Sequence, residues 1–376
     1  MNKTTQEVRE VVNDYNDVTI GIFGSHSGKE TGIAARAWGF KTAIIVQKGR
    51  DKLYTKYNSH LYDNVIELDS FKELLNKEVQ EQLIDLNTVF IPNRSFAVYV
   101  GYDGIENDFK VPVYGNRFML RAEERSYEKG QYYLMKEAGI RIPQEFNSPE
   151  EIDRLVVVKV QQADNPLERA FFYASSPEDY HQQAEALLSQ GIINQEGLKN
   201  ARIEEYVLGS RFNANFHSYA LKDAFGDFDF VGFSDRRQVN LQGFLNLPAR
   251  DQLKIDVGVK NEEIGHFGVT MRESKQDMAY DSAEKFIKAT QKDYFPGMIG
   301  MFGLQGAMAY SPQGKLEFVV FDVSPRVPGD PAIGPTSPEM RSLSLKHSKN
   351  IEDPLDLSMM EIEKAIKEER LKEVIT

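Results

Sequence analysis

Short apolar, β-branched runs alternate with helical patterns through the first third of the chain. The runs fall at residues 19–23, 42–47, 65–68, 89–92 and 111–114. Alternation of this kind predicts an α/β layer, a parallel sheet with helices on its faces. The first run, Thr19-Ile20-Gly21-Ile22-Phe23, feeds directly into Gly24-Ser25-His26-Ser27-Gly28-Lys29. Apolar positions at helical spacing follow, at Ile33, Ala34, Ala37 and Trp38. The predicted turn therefore lies at the open end of the sheet, where α/β proteins bind ligands. Gly24 and Gly28 would let backbone approach a ligand, and N–H groups at the helix start favour an anion. The spacing is not that of a dinucleotide-binding turn. Nor is it a Walker loop, because Glu30 follows Lys29 where a hydroxyl residue is required.

The pattern changes register after Arg117. A helix is expected over 128–138, ended by Gly139, then a strand at 155–160, a helix near Pro177–Ser189 and a strand at 201–207. Beyond Gly209 the strands are longer and rich in aromatics (212–219 and 228–234), followed by a helix over 281–292 and strands at 298–310 and 316–323. Residues 324–349, rich in Pro, Gly and Ser, read as an ordered loop over a site. The charged amphipathic helix at 359–373 reads as a solvated cap. There is no internal repeat.

Composition narrows the function. A chain of 376 residues predicts two or three domains. A formal charge of −12 argues against a nucleic-acid binder, which needs a basic surface for phosphates. The absence of cysteine excludes disulfides, thiolate metal sites and cysteine nucleophiles. No run reaches membrane-spanning length and the first residues lack an apolar signal core, so a cytoplasmic protein with no membrane partner is expected. The aromatic strands after Gly209 would supply an interface for a homo-oligomer.

Three blocks carry candidate chemistry. Val156-Val157-Val158-Lys159-Val160 places a lysine in a β-branched strand, where it needs a carboxylate or a phosphate unless it lies in water at a sheet edge. Arg202-Ile203-Glu204-Glu205-Tyr206-Val207 is an acidic strand whose backbone at 205–207 could read an adenine edge. Asp322, expected at the tip of the strand 316–323, suits magnesium, which binds through one or two carboxylates plus substrate phosphates. Arg326, four residues on, suits a transferring phosphoryl group, or else forms a structural bridge to Asp322.

Those blocks, in that order, resemble the ATP-grasp superfamily, and the match is closer to one family. Gly24-Ser25-His26, Ile91-Pro92-Asn93-Arg94-Ser95-Phe96, Tyr114-Gly115-Asn116-Arg117, Ile203-Glu204-Glu205-Tyr206-Val207, Arg272-Glu273-Ser274 and Val319-Val320-Phe321-Asp322 look like the archaeal formate-dependent aminoimidazole carboxamide ribonucleotide (AICAR) ligases. The resemblance runs from about residue 18 to the C-terminus. It implies an ATP-grasp fold of mixed α/β and α+β type, preceded by a Rossmann-like parallel-sheet domain. On that reading 1–120 binds substrate, 121–209 is the small lobe with lysine strand and hinge, and 210–376 is the large lobe with the metal site. The implied reaction joins formate to the 5-amino group of AICAR through formyl phosphate, with ATP becoming ADP and phosphate.

The resemblance also implies roles. His26, Ser95 and His266 would contact the ribonucleotide, with His26 and Arg326 catalytic. Lys159, Glu204, Glu205, Tyr206, Val207 and Gln238 would contact ATP, and Gln305 and Asp322 would hold magnesium or manganese. The chain departs from the family in places. The loop 161–170 has no glycine, Gln238 stands where a glutamate is expected, and His266 where an asparagine is expected. A divergent paralogue acting on another carboxylate or ribonucleotide, and a non-catalytic AICAR or AMP sensor, are the alternatives.

Overall fold

In the computed structural model of the chain, residues 3–376 are described apart from 16, 125–126, 161–169, 255–262 and 312. The early apolar runs form β1 (Thr19–Phe23), β2 (Lys41–Gln47), β3 (Asn64–Leu68) and β4 (Thr88–Ile91). They make a parallel sheet of order β3-β2-β1-β4, with Ile22 opposite both Ile44 and Ile91. β1 is buried along its whole length, which is why it reads as a continuous apolar run rather than an alternation. The expected strand at 111–114 is reduced to single bridges, Val113 to Phe90 and Tyr114 to Ile375.

Packing groups the chain into two compact units. One unit comprises 1–140, 211–306 and 322–376; the other comprises 141–210 and 307–321.

The second unit is built on β5 (Glu145–Phe146), β6 (Val156–Val160), β7 (Ala170–Ala174) and β8 (Arg202–Glu205), in the order β5-β8-β6-β7. Neighbouring strands run antiparallel. Val156, Val158 and Val160 point into a core with Phe172, Tyr180 and Ile203. Val157 and Lys159 therefore lie on the opposite face. The helix Pro177–Ser189 covers that core. It starts where expected because Ser176 accepts from the Asp179 N–H and proline occupies the first turn.

The remaining strands are β9 (Ser210–Ser218), β10 (Phe228–Gln238), β11 (Glu263–Val269), β12 (Gly300–Tyr310) and β13 (Leu316–Ser324), ordered β11-β10-β9-β12-β13. Their aromatics pack inward. Phe216 contacts Phe230 and Phe302, and the rings of Phe216, Tyr219 and Phe302 are buried. The expectation that these strands present an aromatic interface is thus corrected: the rings fill the interior of their own unit.

Two further expectations change. Residues 324–349 contain a 3-10 turn at Pro331–Thr336 and a helix at Glu339–His347, so the stretch is not one loop. The C-terminal helix spans Asp356–Lys367 and is no solvated cap. Leu357, Met359, Met360 and Ile362 are fully buried in the main core. Each such side chain contributes about 1.5–3 kcal/mol on burial. Glu361, on the same helix, is also buried; it accepts from the Ala220 and Leu221 N–H groups and from Tyr114.

Candidate active site

At the C-terminal end of β1 the chain turns through Gly24, Ser25 and His26. Side chains at the two glycines would collide with strand carbonyls: a Cβ on Gly24 would lie 2.5 Å from Ile45 O, and one on Gly28 2.6 Å from Phe23 O. The glycines are therefore required by the turn itself, a reason different from ligand approach. His26 takes a left-handed backbone (φ 56°), unusual for a residue with a side chain and common where a site imposes geometry.

The turn after β4 is tied to it. Asn93 Nδ2 donates to Ser25 O (3.0 Å), while its Oδ1 caps the helix Arg94–Val100 by accepting from Phe96 N–H. Ser95 and Ser25 hydroxyls are 2.9 Å apart. The segment after β13 closes the cluster: Val327 bridges Asn93, and Ser27 Oγ donates to Pro328 O (2.7 Å). His26 Nδ1 lies 2.9 Å from Ser27 Oγ. Since the Ser27 proton is committed to Pro328, Nδ1 carries the hydrogen and Nε2 is left as an acceptor, a tautomer assigned from the network. Loss of water around the ring, then the charge of Arg326, lowers the imidazole's proton affinity, so His26 is neutral at physiological pH.

Gly329 connects this turn to β11. A Cβ there would lie within 3.3 Å of His26 Nε2, His266 Cε1 and Glu263 Oε1. His266 Nε2 is 3.0 Å from Glu263 Oε1, and Arg236 Nε is 2.9 Å from Glu263 Oε2. Burial opposes charge on Glu263, but the His266 hydrogen bond and Arg236 prevail and hold its carboxyl below the usual range. The next residue, Asp330, is buried; it accepts from Asn215 Nδ2 (2.9 Å) and Ser234 Oγ and lines a cavity of about 250 Å³ with Phe233, Val269, Thr336 and Ser337.

Arg326 is almost wholly buried and does not depend on Asp322 for its pairing. Nη2 and Nε donate to Glu123 (2.7 and 3.2 Å), and Nη1 to Val327 O (3.1 Å). Arg94 Nη1 shares the same carboxylate at 3.3 Å. Asp322 sits inside β13, two residues before its end, half-buried rather than at the strand tip. Among the described residues no group of three or more His, Cys, Asp or Glu could hold a metal ion. Asp322 fits a magnesium held by one carboxylate plus phosphate oxygens. Gln305 does not fit as a direct ligand: its Oε1 accepts from Arg236 and its Nε2 donates to Ser324 (3.1 Å). Gln238, at the end of β10, is buried, and its side-chain oxygen has no partner among the described residues; its N–H donates to Gln242.

In the second unit, Lys159 lies on an interior strand, so the sheet-edge reading fails. Its ammonium pairs with Glu204, which is 1% exposed. Glu205 accepts from Arg141 Nη2 (2.9 Å) and Gln144 N–H (3.1 Å). The N–H groups of Glu205 and Tyr206 already donate to Gln144 O and Leu155 O, so these two are not the donors that would read an adenine edge. Tyr206 is exposed, with Tyr173 edge-on to it at 5.3 Å. The expected phosphate loop at 161–169 lies outside the described residues.

The structure thus brings His26, Ser95, His266 and Arg326 into one unit with Gln238, Gln305 and Asp322, and Lys159, Glu204, Glu205, Tyr206 and Val207 into the other. Sequence reasoning missed Glu123, Glu263, Arg236 and Asp330, which no local pattern marks. Arg94 was visible only as the neighbour of Ser95.

Residues 20–146 match a family described as a protein of unknown function (DUF1246), and residues 179–376 one described as a domain of unknown function (DUF1297). The 5-formaminoimidazole-4-carboxamide ribofuranosyl monophosphate synthetase of Methanocaldococcus jannaschii is 37% identical over 325 residues, 86% of each chain. A crystal structure of an IMP biosynthesis protein PurP from Thermococcus kodakaraensis is similar in fold, with TM-score 0.69 at 20% identity over 95% of this chain and 100% of that one. An ADP complex of N5-carboxyaminoimidazole ribonucleotide synthetase gives TM-score 0.53 at 12% identity, over 82% and 70%.

Proposed function

Because the chain belongs to the 5-formaminoimidazole-4-carboxamide ribonucleotide synthetase family and carries the ATP-grasp fold, we propose that it joins formate to the 5-amino group of AICAR at the expense of ATP. It is a C–N bond-forming ligase. Formate oxygen takes the γ-phosphoryl group, releasing ADP. The amine then adds to the formyl carbon, phosphate leaves, and the nitrogen loses a proton. Formyl phosphate survives only where water is kept out, so positioning and charge stabilisation are the protein's main contributions.

The observation that carries this reading is the neutral His26, whose Nε2 has no partner among the described residues and faces the same Gly329 position as His266, in the cluster that also holds Ser95 and the buried Arg326. An acceptor suits an N–H of the substrate's amine or carboxamide rather than its phosphate, and it would orient that amine toward the formyl carbon. Ser95 and His266 would hold the rest of the ribonucleotide, and Arg326 would stabilise the transferring group. Lys159 would meet ATP phosphates, with Glu204 setting its position. Tyr206 and Val207 would flank the adenine, Glu205 would brace that strand through Arg141, and Gln238 would offer its side-chain oxygen to the nucleotide. Asp322 would hold magnesium, which supplies charge neutralisation at the phosphates when bound.

Incubation with ATP, formate and AICAR should yield ADP and formyl-AICAR. ADP formation no higher than in a control without AICAR would refute the proposal. His26→Ala should raise the KM for AICAR at least tenfold, and an unchanged KM would remove that role. His266, Gln238 and the engaged Gln305 favour one second reading, a paralogue for another small carboxylate, which a panel of carboxylates read by phosphate release would separate.

A further inference from the structure

Two guanidiniums share one buried carboxylate in this cluster, and they are not equivalent. Arg326 is 7% exposed and spends Nε, Nη1 and Nη2 on Glu123 and Val327. Arg94 is 34% exposed, and its contacts, to Glu123 at 3.3 Å and Tyr102 Oη at 3.5 Å, both fall on Nη1. Its Nε–Nη2 edge has no partner among the described residues. That edge is the pair of parallel donors which matches a carboxylate bidentately.

The surroundings limit what such an edge would take. Arg94, Arg326 and Glu123 together carry one net positive charge, which the nearby Asp322 offsets, so the free edge suits a small monoanion rather than a highly charged group. Arg94 also lies near enough to Asp322 and to His26 for their charges to interact, so it belongs to the same cluster as the carboxylate suited to a metal and the acceptor suited to the amine. Asp322 repels a small singly charged carboxylate less than it would a dianionic ribonucleotide phosphate.

We propose that Arg94 is the formate-binding residue, gripping the substrate carboxylate through Nε and Nη2 while Glu123 fixes the guanidinium from the other side. The assignment rests on the formate-dependent reading above. The backbone supports it: Asn93 is locked to the His26 turn and Ser95 to Ser25, so Arg94 is carried on a braced turn at the start of a helix.

The test is steady-state kinetics of wild type, Arg94→Met and Arg94→Lys with each substrate varied in turn, and calorimetric AICAR binding to each protein without ATP. Wild type should require formate. Arg94→Met should raise the KM for formate about 50-fold, the size expected when a charge-assisted fork is lost. The KM values for AICAR and ATP should stay within about threefold, and calorimetry should show AICAR binding retained, which also reports a folded protein. Arg94→Lys, keeping the charge but not the fork, should fall between. An unchanged formate KM in Arg94→Met, or a rise confined to AICAR, overturns the assignment alone. A wild-type protein that ligates without formate overturns the functional reading and the assignment with it.

Discussion

Glu123 should be the most consequential single carboxylate in the first unit, and Glu123→Gln tests that claim. The carboxylate is 10% exposed, receives two hydrogen bonds from Arg326 at 2.7 and 3.2 Å, and lies 3.3 Å from Arg94. Removing one partner of a buried pair costs about 3–5 kcal/mol, because the other charge stays desolvated. The Arg94 contact adds little, about 0–1 kcal/mol, since that side chain is a third exposed. Glutamine keeps one acceptor oxygen, so a loss near the lower end, about 3 kcal/mol, is expected. The chain's single tryptophan, Trp38, lies in the same unit, so its fluorescence during urea unfolding reports the relevant transition. The companion Arg326→Met removes the stranded charge, and the double variant should be less stable than wild type by less than the two single losses combined. A Glu123→Gln loss below about 1 kcal/mol, or additive single losses, would refute the shared-carboxylate argument.

Arg117 is fully buried and donates to the carbonyls of Ile105, Phe109, Val111 and Thr376, so Arg117→Met should cost about 3–5 kcal/mol in the same urea assay. His217 is fully buried with an orphaned Nδ1, and burial pushes its pKa down to about 3. The unfolded chain binds that proton near pH 6.5 and the fold does not, so stability present above pH 6.5 is lost on acidification, by about 2 kcal/mol at pH 5 from this group. His217→Gln should flatten that limb of a pH series of urea midpoints, and an unaltered slope would discount it. Asp322→Asn should cut kcat at least about 100-fold while leaving the calorimetric Kd for AICAR within twofold, because metal charge at the phosphates is lost. Equal losses in kcat and AICAR affinity would make the residue structural.

By itself the sequence determined the place of some elements but not of others: β7 and β11 carry no marked signal, and the run at 111–114 forms only single bridges. β1, β6 and the helix Pro177–Ser189 follow from apolar period, β-branching and a serine–proline start, all of them local signals. Only the tertiary structure decided what each charge meets. Lys159 finds Glu204, Arg326 finds Glu123, and Glu361 turns from a solvated helix position into the acceptor for two backbone N–H groups. Periodicity specifies a side, but the group waiting on that side is brought from far along the chain by the order of the strands, 203 residues in the case of Arg326 and Glu123. A polar residue on an amphipathic helix reads the same whether water or a buried donor faces it. The physical difference between the two lies in desolvation, which exists only once the long-range packing is made.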